Sequence, residues 1–130
     1  MREEIDRWIE FASEDLEMAV LAWEQKIYNQ VCFHSQQCVE KLLKGYILFT
    51  GKLYPRSHKV ADILRLLPGN AFSDMHEELL LLDRFYVTTR YPDALPGMLP
   101  SGMPSEEDAR KSLQTARLVF DRLKGEMGEV

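Results

Sequence analysis

Between Glu3 and Gln25 the apolar positions fall at Ile5, Trp8, Ile9, Ala12, Leu16, Ala19, Val20 and Trp23. Steps of three, one and four residues repeat along this stretch, the signature of a helix with one buried face. The acids between Glu3 and Glu24 are expected on the opposite face. A second helix is predicted from about Gln30 to Phe49, opened by Asn29. Its apolar line runs through Val31, Cys38, Leu42, Gly45 or Tyr46, and Phe49. Glycine lowers helix propensity by about 1 kcal/mol, so Gly45 in mid-helix marks the close approach of another backbone. Thr50-Gly51-Lys52 ends the helix, with Gly51 as the stop.

Ser57 is placed to cap a short third helix from His58 to about Leu67, closed by Pro68-Gly69. Ser73 is placed to cap a fourth, from Asp74 to about Arg90, with Met75, Leu79, Leu82, Phe85 or Tyr86, and Thr89 at helical spacing. Pro92 disfavours helical backbone at Tyr91, which sets the expected end. From Tyr91 to Pro104 there are four prolines and two glycines, so no regular element fits. Leu95, Met98, Leu99 and Met103 would anchor that stretch as an ordered wrapping loop. Ser105 and Asp108 have capping-box spacing and open a last helix. Its seam is Ala109, Leu113, Ala116, Phe120 and Leu123. The connection near Ile27-Tyr28-Asn29 is short enough to make the first two helices antiparallel neighbours. The predicted fold is all-α, an antiparallel up-down bundle of four to five helices forming one domain over residues 1–130.

Composition narrows the function classes. Hydrophobic residues are 45% and charged residues 28% of the 130, which excludes a disordered chain. The net charge of −5 argues against a general nucleic-acid coat protein. No apolar run approaches the roughly 20 residues that span a bilayer, and the charged start Met1-Arg2-Glu3-Glu4 is unlike a signal peptide. A cytoplasmic, non-membrane protein is expected. Cys32 and Cys38 fall on different helix faces, so two separate buried thiols are expected rather than a disulfide. His34 and Cys38 have a spacing that suits two metal ligands, but no second ligand pair accompanies them. No metal and no cofactor are therefore expected. Phosphate-binding glycine loops, Gly-x-Ser-x-Gly and Cys-x-x-Cys do not occur.

The overall charge hides an uneven distribution. Met1 to Gln25 holds two bases against eight acids, whereas Lys41 to Arg65 holds six bases against one acid. Gln37, Lys41 and Lys44 form one stripe on the second helix, leading toward Arg56 and His58. A local positive field of this kind suits phosphate or another anion. The competing reading is a solvated face, with Glu40 and Lys44 as an ordinary surface pair.

Four stretches together resemble prokaryotic HEPN domains (higher eukaryotes and prokaryotes nucleotide-binding). His34-Ser-Gln-Gln-Cys-Val-Glu-Lys-Leu-Leu-Lys44 is similar to the helix-two signature of that family. Ser57-His-Lys-Val-Ala-Asp-Ile-Leu64 resembles its histidine-led third helix, and Arg90-Tyr-Pro-Asp93 its signature after helix four. Ser13-Glu-Asp-Leu-Glu-Met-Ala19 is similar to its opening helix. The resemblance implies a helical bundle, a homodimer, and action beside a minimal nucleotidyltransferase partner in a toxin-antitoxin-like pair. It also implies an ATP-like nucleotide ligand. The expected ligand-binding residues are Gln37, Lys41, Lys44, His58, Arg90, Tyr91 and Asp93, and no catalytic residue is assigned. Lys41 and Lys44 would meet phosphate, and His58 would hydrogen-bond at the mouth of the same groove. Arg90 would offer a fork to an anion, Tyr91 would stack a base, and Asp93 would orient Arg90. The alternatives are a metal-independent ribonuclease acting on RNA and a structural partner subunit without a ligand. Ribonuclease members carry an arginine followed four to six residues later by a histidine. Neither Arg84 nor Arg90 is followed by one here.

Overall fold

The structure, a computed structural model, describes residues 2–85 and 104–128. Within them lie five α-helices and one 3₁₀ turn: α1 (Arg2–Glu24), α2 (Tyr28–Phe49), α3 (Val60–Leu64), the 3₁₀ turn (Ser73–Met75), α4 (His76–Leu82) and α5 (Glu106–Met127). The predicted helix end at Arg90 and the proline-rich stretch up to Met103 lie outside the described residues.

The all-α bundle follows from the periodicities. α1 turns back into α2 through residues 25–27, where Lys26 takes a left-handed φ of 61°. The two helices are antiparallel and closely packed. Gly45 explains the closeness: a Cβ there would lie 3.0 Å from Trp8 Cβ and 3.9 Å from the Ile5 carbonyl oxygen. α2 is the central helix, packing against α1, α3, α4 and α5. Most of its circumference is consequently buried, leaving a partly exposed stripe through His34, Gln37 and Lys41. The chain returns through α3 and α4, so α5 starts beside the start of α2. There the Tyr28 hydroxyl donates to Glu106 over 3.2 Å. The Ser105 capping box forms as the sequence predicts, with Ser105 and Asp108 each accepting the other's backbone N–H.

Two apolar clusters fill the bundle. The larger gathers Leu42, Leu43 and Ile47 of α2 with Ile63, Leu79, Leu82, Val119, Leu123 and Met127. The smaller, at the α1–α2 turn, holds Ala19, Ala22, Val31, Cys32, Phe85, Ala109 and Leu113. Both cysteines are free and buried. Burial pushes the Cys32 thiol up to about 12 and moves Cys38 in the same direction, because a thiolate would lose its hydration there. Neither thiol is expected to react with an alkylating reagent in the folded chain at pH 8, and both should react in denaturant. Mass spectrometry of the labelled protein checks this, and labelling at the unfolded rate under native conditions would contradict the packing.

Three boundaries differ from the sequence expectation. α2 begins at Tyr28 after Ile27, with no side-chain cap, so Asn29 lies inside the helix. α3 is only five residues long, and Ser57 does not cap it. The Ser57 hydroxyl instead donates to Asp62 and accepts the Lys59 N–H. The orphan N–H groups of Val60 and Ala61 donate to Asp83, at 2.7 and 3.0 Å. The expected continuous fourth helix from Asp74 starts as a 3₁₀ turn and is interrupted at Asp83. A remote carboxylate thus caps α3, a partnership that local patterning cannot show.

Candidate functional site

Two carboxylates on inward-facing helix positions organise the polar side of α2. Asp15 of α1 is buried. Its Oδ1 accepts from His34 Nδ1 at 2.8 Å, and its Oδ2 accepts from Lys41 Nζ at 2.6 Å. Glu40 of α2 is buried as well. Its Oε2 accepts from Lys44 Nζ at 2.9 Å and from His58 Nδ1 at 3.1 Å, while its Oε1 accepts from Gln37 at 3.1 Å. Each carboxylate therefore serves one lysine and one histidine.

Helix geometry sets these sets side by side. His34, Gln37, Lys41 and Lys44 fall at i, i+3, i+7 and i+10, one stripe of α2. The carboxylates lie on either flank, Asp15 from α1 and Glu40 on the side facing His58. Gln37 also donates to Gln36 Oε1 at 2.8 Å. Buried Gln36 donates in turn to the His58 carbonyl at 2.9 Å, and its Nε2 lies 3.5 Å from Asp83 Oδ1. This chain of hydrogen bonds fixes the backbone at His58 against α2, where burial strengthens each link.

Exposure separates the members. The Lys44 and Glu40 side chains are only 6% and 5% exposed, so the expected surface pair is a buried one. Lys44 Nζ also lies 5.9 Å from the centre of the Trp8 ring and 5.7 Å from that of Tyr54. These two aromatic rings meet edge to face at 5.2 Å. The His34 and Lys41 side chains are 19% and 27% exposed, and that of His58 is 59% exposed. Solvent therefore reaches the two imidazoles and the Lys41 ammonium, whereas Lys44 is sealed beneath aromatic rings.

Of the residues expected to bind a ligand, Gln37, Lys44 and His58 meet at Glu40. Lys41 turns instead toward Asp15. Arg90, Tyr91 and Asp93 lie outside the described residues. The sequence reading did not assign Asp15, His34, Gln36, Glu40 or Asp83 to a site. Asp15 stands between Ala12 and Ala19 at i, i+3, i+7, on the buried stripe rather than among the outward acids. That spacing is a legible signal of an inward carboxylate needing partners. His34 and Cys38 do not converge: His34 reaches Asp15, and Cys38 is wholly buried.

The architecture is that of a small helical-bundle domain whose central helix carries a half-exposed face of paired ionic groups. The chain belongs to the HEPN domain family, whose profile matches residues 5–126. It is 32% identical over 128 residues to a Methanocaldococcus jannaschii protein named "Putative toxin MJ1304", covering 90% of this chain and 84% of that one. Among solved structures it is similar to a Thermus thermophilus protein, with 29% identity, a TM-score of 0.79, and 96% of this chain and 98% of that one covered. It is also similar to a protein described as an archaeal HEPN homologue, with 33% identity, a TM-score of 0.75, and coverage of 95% and 97%. No helix among the described residues is long and apolar enough to cross a membrane.

Proposed function

We propose that this chain is the HEPN component of a toxin-antitoxin-like pair, acting beside a minimal nucleotidyltransferase, and that the α2 face receives the phosphate of an ATP-like nucleotide. The observation that carries the reading is the pair of histidine–carboxylate–lysine sets on one helix face. An anion arriving there meets several N–H donors already held in place by buried partners, so little side-chain freedom is lost on binding. The relative named as a toxin supports the toxin-antitoxin setting. Self-association belongs to the same proposal. Leu80 and Leu81, half of the four-leucine run in α4, remain exposed, as do Met18, Leu21 and Leu118.

Calorimetry tests the ligand. ATP is expected to give a saturable heat. Lys41→Ala should weaken binding by about tenfold or more, the size of one lost charged hydrogen bond, aggravated by the bare Asp15 carboxylate. No heat at millimolar ATP would overturn the reading. A carboxylate-held imidazole such as Glu40–His58 is also an acid–base arrangement. Metal-free RNA cleavage that disappears in His58→Ala, with no ATP binding, would put a ribonuclease in its place.

A further inference from the structure

We infer that the chain pairs with a second copy of itself through the outward face of α1 and α5, the acidic helix of each copy lying on the basic helix of the other. This rests on the self-association proposed above and gives it a surface. α1 and α5 are neighbours in the bundle. Because α1 is antiparallel to α2 and α5 starts beside the start of α2, these two also run antiparallel. Between them opens a groove of about 420 Å³. Trp23, Leu113 and Leu118 form its apolar part, and Arg110, Gln114 and Arg117 its polar part. Leu21 of α1 and Leu118 of α5 are 49% and 51% exposed.

The two helices are complementary in the sign and the spacing of their charges. Along α1, the exposed residues Glu17, Leu21 and Glu24 fall at i, i+4 and i+7. Along α5, the exposed residues Arg110, Gln114 and Arg117 repeat the same intervals. The two acids and the two arginines are therefore each about 10 Å apart along their helix axes. Glu17, Glu24 and Arg117 form no ion pair among the described residues. Arg110 holds Glu107 through Nε and Nη2, which leaves guanidinium N–H groups for a further carboxylate. Asp121 follows Arg117 by one turn and has Lys124 close behind it.

A two-fold axis parallel to the helices and midway between them keeps each residue at its own height while exchanging the two sides. It lays α1 of one copy antiparallel on α5 of the other, and the reverse contact forms at the same time. Trp23 shares the groove with residues 110–118, so Glu17–Leu21–Glu24 and Arg117–Gln114–Arg110 already lie at matching heights. Each Leu21 then enters the groove of the other copy between two carboxylate–guanidinium pairs. Helices of 23 and 22 residues, about 33 Å long and 10 Å wide, offer roughly 600 Å² per copy, the lower end for stable association. The other two-fold arrangement, α1 on α1, sets Glu10, Glu14, Glu17 and Glu24 against like charges, which disfavours it.

The test is sedimentation velocity on the full chain and on two variants. Glu17→Arg with Glu24→Arg makes the α1 line basic, and Arg110→Glu with Arg117→Glu makes the α5 line acidic. All four positions are exposed, so each variant should keep the parent's helical content. The parent should be dimeric at about 100 μM. Its dissociation constant should rise several-fold between about 0.05 and 0.5 M NaCl. Each variant alone should be monomeric, because like charges then meet at both contacts. An equimolar mixture of the two should recover a one-to-one dimer, because both contacts again join opposite charges. A dimer that both variants retain overturns the inference and leaves self-association standing, through another surface. Loss of the dimer without recovery in the mixture also overturns it, as does a dissociation constant indifferent to salt. A parent chain that is monomeric at about 100 μM overturns both the inference and the self-association.

Discussion

Truncating Glu40 to alanine is expected to remove about 3–5 kcal/mol of stability, the range for breaking a buried ion pair from one side. The loss arises from what remains. Lys44, 6% exposed, loses its only described carboxylate partner, at 2.9 Å. The faces of Trp8 and Tyr54 offset part of that, but cation–π contacts contribute only about 0.5–2 kcal/mol. Gln37 and His58 lose an acceptor at the same time. Glu40→Leu combined with Lys44→Met should be milder than Glu40→Ala or Lys44→Ala alone, because it removes both charges and leaves apolar volume. Urea unfolding of the four proteins measures the effect. A Glu40→Ala chain within about 1 kcal/mol of the parent would show that Lys44 escapes to solvent and that the pair is not sealed.

The second large effect is expected at Gly45. A Cβ there would sit 3.0 Å from Trp8 Cβ, an atom fixed to the α1 backbone that cannot swing aside. The relief open to the structure is separation of α1 and α2 along their longest contact. Overpacking of this kind costs about 1–3 kcal/mol. Gly45→Val, with two further methyl groups, should lie near the top of that range. Gly45→Ala should be milder, since alanine returns about 1 kcal/mol of helix propensity. Urea midpoints give the order, and near-ultraviolet circular dichroism should show altered packing around Trp8. A Gly45→Val chain as stable as the parent would mean that the two backbones are not held this closely.

The sequence displays the bundle more fully than it displays the site. α1 and α5 stand out because burial on one face imposes a 3.6-residue period, and Ser105 with Asp108 sets a boundary through a purely local exchange of hydrogen bonds. Gly45 is legible because a glycine disfavoured in mid-helix needs a packing reason. The limits of α3 and α4 are not local: Asp83 caps a helix that begins 23 residues earlier. The site is half visible. Gln37, Lys41 and Lys44 share a stripe, but their charges count only after Asp15 and Glu40 are located. Those carboxylates read as solvent-facing acids because charge usually implies exposure. Their positions say otherwise. Asp15 continues the Ala12–Ala19 line, and Glu40 stands with Gln36, Leu43 and Ile47 on a buried line of α2.

The borrowed cap on α3 also bears on how the chain acquires its shape. Five residues are too few to sustain a helix in isolation, since nucleation alone is unfavourable by orders of magnitude. The order of the segment from His58 to Leu64 therefore depends on Asp83, which lies far along the chain. α1, α2 and α5 are instead held by long apolar seams packed against one another. The place of the His58 imidazole is consequently set by long-range assembly rather than by the local turn that carries it.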